Sequence, residues 1–173
     1  MRDEELALPS PVSRHHQSSH LYRVSIGNEM DTTPHVEVRV TRRFGAPADR
    51  VFNAWIDPTI AGKWLFATAW CPLAGVAIDA RIGGSFRFEE RYNGEDVIHT
   101  GQYIEIVRPR RLVLALADEK RPLDVARVSV EIVPLEEGCE LTLVHASVLP
   151  DNAHHTEGRW TGMFYGLATM LNR

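Results

Sequence analysis

The chain has 173 residues, 44% of them hydrophobic and 24% charged, with a formal net charge of -4. That length suits one domain with a sizeable core and is short for two. No Lys/Arg block offers the basic face that phosphates require, which argues against nucleic acid as a partner. No apolar run approaches the roughly 20 residues that span a bilayer, so membrane insertion is not expected.

The N-terminus lacks the apolar stretch of a secretory signal, and the expected location is cytoplasmic. There, Cys71 and Cys139 are expected to remain reduced thiols.

Residues 1–33 differ in character from the rest. Pro9-Ser10-Pro11, the Ser/His-rich Ser13 to His20 and Asp31-Thr32-Thr33 lack sustained periodicity, and this stretch is read as a flexible N-terminal extension. Its His15, His16 and His20 are read as solvated imidazoles, since a flexible segment does not fix coordination geometry. Leu21 to Ile26 could add a short edge strand.

The folded domain is placed at 34–173. Val36, Val38 and Val40 alternate with polar residues, the pattern of a half-buried strand. A helix can begin at Pro47, with Val51, Phe52 and Trp55 on one face. Asp57-Pro58 signals a second short helix, because Asp accepts from orphan amides and Pro lacks the N–H that would go unpaired. Strands are predicted at Val76–Ile82, Ser85–Tyr92, Val97–Val107, Arg111–Ala117, Ala126–Pro134 and Cys139–Ser147. Turn signals separate them at Asn93-Gly94, Pro109, Arg121-Pro122 and Glu136-Glu137-Gly138, and the paired Gly83-Gly84 lets a strand bulge or start at a sharp angle. From Asp151 to Arg173 the spacing of Trp160, Phe164, Leu167 and Leu171 predicts a long amphipathic helix. Gly158, Gly162 and Gly166 follow a neighbouring face and are read as leaving room for close packing or a ligand. The order implies an α+β fold in which a curved antiparallel sheet wraps the terminal helix.

Several motifs carry a family resemblance: Val51-Phe52-Asn53-Ala54-Trp55-Ile56-Asp57-Pro58 with Trp64, Asp79 to Phe86, Gly101 to Ile106, Pro109 to Val113, and Gly158 with Trp160. Together they resemble the START-like SRPBCC superfamily, the helix-grip fold shared with the major birch pollen allergen. Within it, the chain is similar to the heat-shock-protein-90 ATPase activator homologues. The resemblance implies a cavity between sheet and helix, used in different members for lipids, polyketides or hormones. Some such relatives are cyclases or dehydratases, and others bind partners. The chain lacks the separate N-terminal domain of the eukaryotic co-chaperones, and residues 1–33 match nothing in the family pattern.

Three functions follow as expectations. The first is binding of a small, largely apolar molecule in that cavity, with no cofactor and no metal. The second is an enzyme of cyclase or dehydratase type, and the third a chaperone-partner module. On the strand Val97–Val107, alternation places His99, Tyr103 and Glu105 on one face, where they could orient a ligand or move a proton. The plain alternative is a solvated strand surface, and Ile104 and Ile106 compete for the inward side. His145 shares the side of Leu141 and Leu143. Trp64, Phe66, Trp70 and Trp160 could roof a pocket, and Phe86, Phe88, Met163, Phe164 and Leu167 complete its apolar candidates. Arg87, Glu89 and Arg91 alternate with Phe86, Phe88 and Glu90 and are read as exposed cross-strand charges. The adjacent His154-His155 point different ways on a helix and do not suit a metal. An exposed sheet edge or aromatic patch would permit a homodimer.

Overall fold

The computed structural model describes residues 34–67, 73–92 and 94–172. The expectations for residues 1–33, Trp70 and Cys71 lie outside these. Seven antiparallel strands form one sheet in the order β1-β7-β6-β5-β4-β3-β2. They are β1 (Val36–Phe44), β2 (Leu73–Ile78), β3 (Ser85–Tyr92), β4 (Glu95–Val107), β5 (Arg111–Asp118), β6 (Arg121–Pro134) and β7 (Cys139–Val148). Two short helices, α1 (Ala48–Ile56) and α2 (Pro58–Ala61), follow β1, and α3 (Ala153–Leu171) closes the chain. The sheet is curved and the whole is a helix-grip α+β fold.

Local chemistry explains the joints. The Asp57 carboxylate accepts from the amides of Thr59 at 2.8 Å and Ile60 at 3.4 Å, so α2 starts on a side-chain cap with Pro at its first position. Between β2 and β3, Gly83 takes φ 78°, which disfavours any residue with a Cβ. A Cβ on Gly84 would lie 2.1 Å from the Asp79 carbonyl oxygen. The pair then exchanges backbone hydrogen bonds with Tyr103, which ties this turn to β4.

The α1, α2 and α3 faces pack on the inner side of the sheet. Trp55, Trp64, Phe44 and Phe164 meet there, with Trp55 and Trp64 edge to face at 4.8 Å. Trp160, Met163, Phe164, Leu167 and Leu171 form the buried stripe of α3.

Three sequence expectations need correction. The strand predicted at Val76–Ile82 ends at Ile78, and Ile82 is 65% exposed in the glycine turn. Arg121-Pro122 is no turn: β6 already begins at Arg121, opposite Asp118. The glycines of α3 do not make room for close packing, because a Cβ at Gly158, Gly162 or Gly166 would meet nothing within 4 Å.

Candidate functional site

Between the sheet and α3 lies an apolar space of about 10 Å3. Its walls are Trp55, Phe66, Phe86, Phe88, Tyr103 and Trp160, with Leu65, Leu114 and Leu116 between them. That volume is about one water, whereas small-molecule sites hold roughly 300 Å3 or more. A water needs two or more polar partners, and apolar walls do not supply them. The core is therefore closed in this conformation. Yet the indole Nε1 of Trp55 is buried without a hydrogen-bond partner among the described residues. An orphaned buried donor costs about 1–3 kcal/mol.

A polar cluster borders this space. Phe86, Phe88 and Glu90 alternate along β3, so Glu90 is carried inward with the two rings and is only 5% exposed. His99 lies opposite Phe88 on β4, and its Nε2–H donates to Glu90 Oε2 at 3.1 Å. Arg159, in the second turn of α3, donates to the same oxygen at 3.1 Å. Among the described residues no hydrogen bond reaches Glu90 Oε1. The imidazole of His99 is stacked on Phe66, with ring centres 4.0 Å apart and planes 15° from parallel. Phe66 itself has φ 59°, a left-handed conformation that costs a bulky residue about 1–3 kcal/mol. Its amide donates to the thioether of Met163 at 3.1 Å, a weak acceptor.

The predicted residues divide sharply. Phe86, Phe88, Tyr103 and Trp160 line the apolar space. The Tyr103 hydroxyl donates to the Trp55 carbonyl at 3.4 Å, and burial, with a smaller effect of Asp79, raises its pKa, so it keeps its proton. Trp64 donates to the Ala54 carbonyl and, with Phe164 and Leu167, belongs to the solid core. Met163 holds the Phe66 amide. His145 faces inward on β7, where its Nδ1 accepts from Trp160 Nε1 at 3.0 Å. Burial lowers its pKa to about 4, so it is neutral at physiological pH.

Glu105 does not share a face with Tyr103. A bulge between them shifts the register of β4 against β5. Glu105 then falls opposite Val113 on the outer side, paired with Arg111, which also bonds Glu131. Glu90, one of the residues with which Arg87, Glu89 and Arg91 alternate, is buried. Its signal was available in the chain, since Glu90 is in phase with Phe86 and Phe88. No comparable signal marked Arg159, whose partner is distant in sequence. A wider depression of about 210 Å3 between β1 and α3 is bordered by Arg39, Arg42 and Glu157. Of the predicted site residues, only Phe164 borders it. Among the described residues no group of three or more His, Cys, Asp or Glu could hold a metal.

This arrangement, a curved sheet with two short helices after its first strand and a long helix in its grip, can now be set against known proteins. The family model described as Activator of Hsp90 ATPase homolog 1-like protein matches residues 45–172. The chain belongs to this family. Among solved structures, a protein from Chromobacterium violaceum is 25% identical, with 79% of this chain and 98% of that one covered, at a TM-score of 0.72. A protein from Rhizobium leguminosarum is 20% identical, covering 81% and 96%, at 0.71. An AHSA1-like protein from Aeromonas hydrophila is 17% identical, covering 78% and 90%, at 0.67. No curated protein matches the chain. Family membership accounts for the fold and its grip on α3; the Glu90, His99 and Arg159 cluster is read from this chain's own geometry.

Proposed function

We propose that the protein binds a small, largely apolar molecule between the sheet and α3, in a space that opens from the closed form described above. The observation that carries this reading is the Trp55 Nε1, unpaired among the described residues, on a wall residue of an apolar space. Water is a poor partner there for want of further polar groups. A ligand with an apolar body and one hydrogen-bond acceptor, such as a ketone, would satisfy the indole while burying its own surface. The test is titration of the full chain with a matched series of medium-chain ketones and alkanes, followed by tryptophan emission. Saturable binding that favours the ketones is expected, and Trp55→Phe should abolish the preference. No saturable binding across the series would overturn the reading.

A second reading, proton-transfer catalysis of cyclase or dehydratase type, has the buried His99–Glu90 pair in its favour. Binding ranks ahead of it because Tyr103, the titratable residue of the apolar wall, holds its proton. Replacement of His99 by Gln would separate the two, since it should abolish turnover of any substrate while leaving ketone binding in place. A chaperone-partner role rests on the family description alone.

A further inference from the structure

Phe66 occupies its position against its own backbone preference. Its φ of 59° is strained, among the described residues its amide is held only by a thioether, and its ring is kept in place by stacking on His99 and by contacts with Phe88 at 5.4 Å and Trp160 at 6.2 Å. Removing that ring would vacate a slot between His99 and the apolar wall, shaped for one six-membered ring, and would relieve the strain. The groups beside the slot are specific. Glu90 accepts from both Arg159 and His99 on one oxygen, Oε2, and among the described residues no hydrogen bond reaches its Oε1.

We propose that the Phe66 ring stands in for a ligand ring, and that the site takes a small aromatic compound bearing a hydrogen-bond donor, a phenol or an arylamine. The compound stacks on His99 and gives its donor to Glu90. This rests on the ligand-binding reading and adds to it the chemistry of the ligand's outer end, where Arg159 reaches the surface; the Trp55 indole serves the inner end. An aromatic carboxylate is excluded, because its charge would face the buried Glu90 carboxylate.

The experiment uses the full chain carrying Phe66→Gly, since glycine adopts a left-handed φ freely. Phe66→Leu is a second variant with a smaller vacancy. Phenol, aniline, toluene and benzoate are titrated against both by calorimetry, after circular dichroism has confirmed the fold. Phenol and aniline should bind about tenfold more tightly than toluene, the effect of one hydrogen bond to a charged acceptor, and benzoate should not bind. Adding Glu90→Leu should erase the difference between phenol and toluene. Equal affinity for phenol and toluene, binding of benzoate, or no binding by either folded variant would overturn the proposal. If the unaltered chain takes the ketones but the variants show no donor preference, the cavity reading stands and this inference falls. If nothing binds to either, both fall.

Discussion

His145 combines burial with a neutral-only hydrogen bond, since its Nδ1 accepts from the Trp160 indole. Burial lowers its pKa to about 4, against about 6.5 in an unfolded chain. Between those values the unfolded state binds more protons, so stability rises with pH from about 4 to about 6.5 and is fully present above that window. The expected loss on acidification across it is on the order of 2 kcal/mol, within the limit set by about 1.4 kcal/mol per pKa unit. Urea midpoints measured from pH 4 to 7 should show this slope, and His145→Gln should flatten it. An unchanged slope in the variant would refute the assignment. The Glu90 cluster makes a second prediction. Arg159→Met leaves a buried carboxylate with one partner fewer and should cost about 1–3 kcal/mol. Combining it with Glu90→Gln should recover part of that loss, a coupling that a double-mutant cycle on denaturant midpoints would measure. At this scale the sequence was only partly legible. The phase of Glu90 with two phenylalanines could be read along β3, but its pairing with Arg159 joins β3 to α3 across 69 residues, and no local pattern reports such a contact.

Strands and helices differ in how much room they leave their glycines. Gly101 on β4 lies opposite Phe86, and a Cβ there would sit 1.9 Å from the Ala115 carbonyl oxygen and 2.3 Å from the Phe86 ring. Gly101→Ala is therefore expected to destabilise by about 3 kcal/mol or more, since neither the backbone of β5 nor the ring can yield enough. On α3 the sign reverses. Gly162 has ordinary helical φ and open space around it. Gly162→Ala should stabilise by about 0.5–1 kcal/mol through helix propensity, a melting-temperature rise of about 2 °C. A fall in melting temperature would show that this face meets something. The elements themselves were readable because alternation and three-four spacing report which side is buried, and the Asp57-Pro58 cap was explicit. The bulge after Tyr103 was not readable. It adds one residue without changing composition, yet it reverses the faces of everything downstream on β4, which is why Glu105 was misplaced.

The described residues share one core, built from the inner side of the sheet, α1, α2 and the stripe of α3. Among the described residues, those in that core come from position 38 onward. A chain beginning at Thr33 is expected to keep the urea midpoint and slope of the full protein; a loss of more than about 1 kcal/mol would place residues 1–33 within the cooperative unit. The architecture was legible at this scale because strand, two short helices, strand series and long helix leave few ways to bury every apolar face. Whether the enclosure is open or filled was not legible, since that depends on side-chain packing to within a methyl group.

The strand order has a consequence for how the protein is made. Every hairpin from β2 to β7 can close as its second strand leaves the ribosome, but β1 has β7 as its strand partner in the sheet. β1 must wait for that partner while roughly a hundred further residues are added, and during that delay its valines are open to the wrong neighbours. Completion of the sheet thus waits for the arrival of β7.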